Sequence, residues 1–182
     1  MRRTAEAIYQ ELLALRCRRG DKAALEELVR TWEKRLLYFI RRFVDREQDA
    51  WDVLQQTWVR VLSGIGRLRE PRSLGPWLYR VARHVAFDHG QVRKNYRQFL
   101  KDYQAAAPSE EAPEREEFET AEQLHRGLVQ LHVPHREVLT LFFLEDFSID
   151  EIAQVLEVPP GTVKSRLHHA KKALRVVLGK EA

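Results

Sequence analysis

The chain has one cysteine, Cys17, one methionine, and no apolar run approaching the roughly 18 to 20 residues needed to cross a bilayer. The lone cysteine excludes a disulfide framework and a thiolate metal cluster, and leaves an ordinary reduced thiol. The first twenty residues, MRRTAEAIYQELLALRCRRG, contain neither a continuous hydrophobic region nor a small-residue cleavage site. No membrane insertion is therefore expected, and a cytoplasmic location is. Sustained alternation of apolar and polar residues is also missing, which argues against a sheet. What is present, 182 residues that are 44% hydrophobic and 32% charged, suffices for one medium domain or two small ones. The expected fold is all-α, in two small helical domains.

Acid is absent from the last helical segment. Between Gly161 and Lys180 the charged residues are Lys164, Arg166, Lys171, Lys172, Arg175 and Lys180, with no Asp or Glu among them. Val163, Leu167, Ala170 and Leu174 recur at helical spacing, which gives a packing stripe and a separate cationic surface, with Thr162, Ser165, His168 and His169 near its start. Upstream, Ser148 and Glu151 have capping-box spacing, and Ile149, Ile152, Ala153 and Leu156 form a second stripe. Pro159-Pro160-Gly161 must end one helix and begin the next. Two helices broken at one tight turn, the second rich in cations, make a helix-turn-helix suited to reading DNA. A solvated amphipathic helix at the end of a bundle would account for neither the capped partner nor the missing acids.

The net charge of +4 is unevenly spread. Residues 1–104 carry +9, residues 105–125 carry −6 and residues 126–182 carry +1. A basic front half points to a polyanionic partner. Residues 105–122, AAAPSEEAPEREEFETAE, combine two prolines and clustered Glu with almost no large apolar residue. This reads as an acidic linker that cannot bury a core of its own. As a flexible coil it would average about 25 to 30 Å end to end, and reach roughly 65 Å when straight. It separates a front domain, 1–104, from a rear domain, 123–182.

In the front domain, helical patterns cover Ala23 to Val44, Asp49 to Leu62 and Gly75 to about Tyr103, with another helix before Gly20. Asp21 and Asp49 are positioned as caps, and Arg67 to Gly75, with Pro71, is a loop. On the third helix Ala50, Val53, Leu54, Thr57, Val61 and Leu62 fall on the core side, and Asp52, Gln55, Gln56, Val59 and Arg60 opposite, with Trp51 and Trp58 at one boundary. Such a face suits solvent and a protein partner equally. On the fourth, Leu78, Val81, Ala82, Val85 and Ala86 make a buried stripe, while Arg80, His84, Phe87 and Gln91 share another face below Trp77. Arg93, Lys94, Tyr96 and Arg97 continue that face. Aromatics interleaved with cations provide flat surfaces for unstacked bases and charge for a backbone, as single-stranded DNA requires. Trp77 or Phe87 is expected to lie partly in the core.

From Arg19 to Leu178, four segments in order, GDKAALEELV, DAWDVLQQTWVRVL, PWLYRVARHVAFD and LHVPHREVLTLFFLEDFSIDEIAQVLEVPPGTVKSRLHHAKKAL, resemble a bacterial RNA polymerase sigma factor of the extracytoplasmic-function group. The resemblance implies a dissociable initiation subunit that is not itself a catalyst and uses neither metal nor cofactor. Its partners would be core RNA polymerase and promoter DNA. It implies docking of Asp52, Gln55, Gln56 and Val59 on the beta-prime clamp helices. It also implies capture of the minus-ten strand by Arg69, Arg72, Trp77, Arg80, His84, Phe87, Arg93 and Lys94. The minus-thirty-five duplex would be read by Thr162, Lys164, Ser165, His168 and His169, with Arg166 and Lys171 nearer phosphate and the rear domain against the beta flap. An inhibitory anti-sigma factor is compatible with this reading. The chain departs from the family's usual residues at three positions. His84 stands where Asn is common, His169 where Arg is common, and Gln56 where an acid is frequent.

Two other classes compete. Seven histidines suggest a metalloenzyme, but Pro134 interrupts His132 and His135, and adjacent His168 and His169 point about 100° apart on a helix. His125, His132 and His135 are instead expected at the surface or at helix ends. A stand-alone DNA-binding regulator would need no face like that of Asp52 and Gln55.

Overall fold

A computed structural model describes residues 4–89 and 121–179 of the chain, leaving aside the side chains of 121–123. These residues belong to two compact units that divide after His89. Among the described residues every regular element is helical. The expected extension of the fourth helix to Tyr103, with Gln91, Arg93, Lys94, Tyr96 and Arg97, lies outside them, as does nearly all of the acidic linker.

The front unit begins with α1 (Ala5–Arg18), capped by Thr4, whose hydroxyl accepts from the Ala7 N–H at 3.2 Å. Gly20, with φ 78°, turns the chain into α2 (Lys22–Ile40). Asp21 caps that helix as expected, accepting from the Ala24 N–H at 3.1 Å. This bond and Arg16 hold its carboxyl below the usual range. α2 stops four residues short of Val44. The amides of Arg42 and Phe43 turn back to carbonyls only three residues behind, which tightens the chain and buries Phe43. α3 (Glu47–Gly64) starts ahead of Asp49, which is therefore no cap. It sits in the first turn, where both its oxygens accept from the Arg46 guanidinium at 2.9 Å. Short 3₁₀ turns at Ile65–Arg67 and Pro71–Ser73 lead to α4 (Leu74–Asp88).

α3 packs on α2 and α4, and α1 packs on α2 and both 3₁₀ turns. The centre is Tyr79, fully buried, its ring edge-on to Phe39 at 4.9 Å and to Trp32 at 6.2 Å. Two residues of α3 depart from their expected positions, Trp58 from the boundary and Leu62 from the core side. Trp58 is 9% exposed and packs inward, while Leu62 is 47% exposed. Cys17 is buried among these helices, which pushes its thiol up to about 11.

The rear unit contains α5 (Ala121–Gln130), α6 (Val133–Leu139), a π-helical turn at Thr140–Leu144, α7 (Ile149–Leu156) and α8 (Pro160–Leu178). The Ser148–Glu151 capping box is present. The Ser148 hydroxyl accepts from the Glu151 N–H at 3.3 Å, and the Glu151 carboxylate from the Ser148 N–H at 2.8 Å. α7 ends at Glu157 in the left-handed region, φ 56°, and the Val158 N–H returns to the Ala153 carbonyl. α8 then starts with Pro160 in its first turn. Val163, Leu167, Ala170 and Leu174 are all buried, as their spacing requires.

α8 is the hub of this unit, packed against α5, α6 and α7. Gly127 lets α5 approach it closely. A Cβ there would lie 2.6 Å from Leu174 Cδ1 and 3.1 Å from Leu178 Cδ2. Gly127→Val is expected to destabilise the rear unit by about 1 to 3 kcal/mol, seen as faster hydrogen exchange of α5 and α8 amides with front-unit exchange unchanged.

Candidate polymerase and nucleic-acid interfaces

Three surfaces follow from this packing. The first is the outer face of α3. With Ala50, Val53, Leu54, Thr57 and Val61 buried, helical geometry turns Gln55, Gln56 and Val59 outward, Val59 to 69% exposure. Asp52 is half-buried and its Oδ1 accepts from Gln48 at 3.4 Å. Trp51 and Leu62 extend the face as exposed apolar groups. At the far end Arg60 pairs with Asp88 at 2.9 Å, which ties α3 to the end of α4. Uncharged amides cost less to desolvate than charged groups and can hydrogen-bond a partner, so beside exposed aromatic and aliphatic side chains they suit a protein interface.

The second surface is the α3–α4 loop with the open side of α4. Tyr79 fixes the rotation of α4, and Trp77, Arg80, His84 and Phe87 are left half-buried along it. Trp77 lies over Gly64, its Cζ2 3.4 Å from where a Cβ would be. Phe87 meets Phe43 edge-on at 5.8 Å and lies under the Arg83 guanidinium at 4.4 Å. Trp77 and Phe87 are thus both part core and part surface. Arg69 and Arg72 are exposed in the loop, and Arg72 is bound to Glu11 of α1. Arg93 and Lys94 lie outside the described residues. Sequence reading passed over Arg83, although its spacing of four from Phe87 is the signal for a cation stacked on a helix-neighbour ring. It had no means to find Glu11, 61 residues from Arg72.

The third surface is the start of α8. His168 is exposed, and Thr162, Lys164 and His169 are half-buried. The two imidazoles meet edge-on at 5.3 Å. Burial, then His168 and Lys172, lower the His169 pKa, so the ring is neutral at physiological pH and offers one donor and one acceptor. Ser165, Arg166 and Lys171 are not on this surface, and Arg166 and Lys171 are only 4% and 7% exposed. The reason is angular. Arg166 is three residues from Val163 and four from Ala170, and Lys171 is four from Leu167 and three from Leu174, so both share the packed side. Glu137 of α6 and Glu145 are buried in the same unit, so carboxylates and cations share its interior.

His135 lies at a helix end, in the first turn of α6, but is buried there, not exposed. Burial first, then the positive charge of His132, His169 and Arg166, lowers its pKa to about 4. Among the described residues no group of three or more His, Cys, Asp or Glu could hold a metal ion, and no helix is long and apolar enough to cross a membrane.

Residues 28–98 match the family Sigma-70 region 2, and residues 121–174 match Sigma-70, region 4. The chain is 34% identical over 176 residues to the RNA polymerase sigma-H factor of Pseudomonas aeruginosa, covering 89% of this chain and 90% of that protein. It belongs to the sigma-70 family of RNA polymerase sigma factors. RNA polymerase sigma factor CarQ of Myxococcus xanthus is 30% identical over 164 residues, covering 90% of this chain and 94% of CarQ. The ECF RNA polymerase sigma factor SigW of Bacillus subtilis is 25% identical over 171 residues, covering 87% and 90%. These relatives place this sigma factor in the extracytoplasmic-function group. Its fold resembles CnrH, solved with the cytosolic domain of CnrY, with a TM-score of 0.68 at 22% identity, covering 95% of this chain and 99% of that one. Sigma factor RpoE of Bartonella quintana, solved with the anti-sigma factor NepR, gives 0.63 at 19% identity, covering 86% and 98%. As a sigma factor, the protein directs promoter-specific initiation with RNA polymerase as an initiation subunit.

His135 gives the sigma factor's rear unit a pH dependence. Its folded pKa lies below the ordinary 6.5, so above pH 6.5 the neutral ring costs nothing. As pH falls from 6.5 toward 4, the unfolded chain takes up a proton that the fold refuses. Stability is expected to fall by about 3 kcal/mol across that window, and His135→Leu should flatten the profile. Urea titrations followed by far-UV circular dichroism test this. All four tryptophans lie in the front unit, so their fluorescence serves as the internal control.

Proposed function

We propose that this sigma factor divides its task between its two units. The front unit docks on the beta-prime clamp helices of core polymerase through Asp52, Gln55, Gln56 and Val59. Its α3–α4 loop and α4, with Arg69, Trp77, Arg80, His84 and Phe87, take up the opened minus-ten strand, and Arg72 helps to shape that loop. Unstacking a base costs a few kcal/mol, which stacking on rings and phosphate contact offset, so recognition and opening become one event. The rear unit reads the minus-thirty-five duplex with Thr162, Lys164, His168 and His169, leaning on the beta flap. Ser165, Arg166 and Lys171 serve that helix from its packed side.

The observation that carries this reading is in the front unit. One helix, α3, presents an amide-rich face outward, while the neighbouring α4 presents half-exposed rings and cations. A subunit that must hold an enzyme and a DNA strand together needs both surfaces on one rigid body. A stand-alone regulator has no use for the first. The protein acts without a catalytic site of its own, in the cytoplasm with polymerase and DNA. An anti-sigma partner would inhibit it by covering one of these faces.

Asp52→Ala combined with Gln55→Ala is expected to weaken binding to bacterial core polymerase by about tenfold and leave duplex binding by α8 intact. Fluorescence anisotropy with each partner measures both, and unchanged polymerase affinity would favour the stand-alone regulator. Transcription from a library of randomised promoters, read at the RNA 5′ ends, should yield a two-part motif. His169→Ala should reduce discrimination at one minus-thirty-five position by about tenfold. If the motif is the same with and without that imidazole, His169 reads no base.

A further inference from the structure

Arg72 differs from the other cations around the recognition loop in being already engaged. Its Nε donates to both carboxylate oxygens of Glu11, at 3.3 and 3.4 Å, and its backbone N–H donates to the Glu70 side chain at 3.2 Å. Arg67, Arg69 and Arg80 make no ion pair among the described residues. Glu11 belongs to α1, and α1 packs directly on both 3₁₀ turns of the loop. Beneath those turns Ile65, Leu68 and Leu74 are buried, so the loop is a packed structure that the Arg72–Glu11 pair also ties to α1.

The helix that supplies the tether is firmly mounted. The Tyr9 hydroxyl donates to Glu27, Arg16 donates to Asp21 at 2.9 Å and to Glu27 at 3.0 Å, and the Trp32 indole N–H donates to Gln10 at 3.2 Å. Each bond joins α1 to α2 or to its cap. A displacement of α1 would therefore have to break several bonds at once, whereas a displacement of the loop along α1 bears directly on the Arg72–Glu11 pair.

From this arrangement we infer that Glu11 is a positioning residue for the minus-ten reading loop. By holding Arg72 it fixes where the loop presents Arg69 and the adjoining Trp77, so α1 contributes to base selection and strand opening without touching DNA. The inference rests on the assignment of this loop to the minus-ten strand. It also separates the loop cations by role, with Arg67, Arg69 and Arg80 open to phosphate and Arg72 acting as a brace.

The test uses holoenzyme assembled from the full chain and bacterial core polymerase on two promoters that differ at one minus-ten base. Opening is read as permanganate reactivity of unpaired thymines. Glu11→Gln keeps the shape of the side chain and removes its charge. It is expected to lower the opening ratio between the two promoters by about threefold, near the upper range for an exposed pair, with tryptophan-monitored thermal unfolding unchanged. The charge-swapped double variant, Glu11→Arg with Arg72→Glu, should restore the ratio, which it could not do if Arg72 were needed on phosphate. The inference is overturned if Glu11→Gln opens both promoters in the wild-type ratio. It is equally overturned if both promoters open more readily by the same factor, because Glu11 would then merely compete with phosphate for Arg72. If wild-type holoenzyme opens neither promoter, the minus-ten assignment itself fails and takes the inference with it.

Discussion

The ring of Tyr79 meets Phe39 and Trp32 edge-on inside the front unit, and this contact fixes the rotation of α4 about its own axis. An aromatic edge against two neighbouring rings has a geometry that an aliphatic side chain would not impose. Once Tyr79 points inward, Trp77, Arg80, His84 and Phe87 can neither join the core fully nor leave it. They are held half-exposed, in defined rotations, along one line. Because α3 packs on the same helix, its amide face is oriented in the same body. On the proposed division of roles, a shared core is the simplest mechanical link between the docking face and the strand-reading face.

The rear unit solves a different problem. A helix that reads DNA needs cations, but a small unit also needs that helix as its centre, so some cations must lie on the packed side. Arg166 and Lys171 do so, in a unit that also buries Glu137 and Glu145. Isolated buried charge would cost several kcal/mol per ion. His135 is buried in the same unit, and His169 and Arg166 of α8 are among the charges that lower its pKa, so its protonation bears on the seating of that helix.

Features set by near neighbours in the chain were legible from the sequence. Thus Asp21 as a cap, the Ser148–Glu151 box and the Val163, Leu167, Ala170, Leu174 stripe depend on three or four adjacent residues and are present as expected. The misplaced residues depend on contacts between elements. Asp49 has the chemistry of a cap, but Arg46 engages it inside a helix that begins earlier. Trp58 and Leu62 lie near the edge of the buried face of α3, where a small rotation decides which one is covered, and α3 packs on both α2 and α4. Arg166 and Lys171 were read as surface because they are charged, although their spacing from the stripe already put them beside it. The surfaces themselves were legible as composition. The link from Glu11 to Arg72, and the burial of His135, exist only once the chain is folded.

Cys17 has a practical consequence. Buried, with its pKa near 11, it holds about one part in ten thousand as thiolate at neutral pH. Oxidants and maleimides react with the thiolate, so burial and the raised pKa make Cys17 a slow nucleophile in the folded protein. The same inertness makes the chain a clean background for single-molecule work, since a cysteine introduced on the outer face of α3 or α8 would be the one thiol that a dye labels.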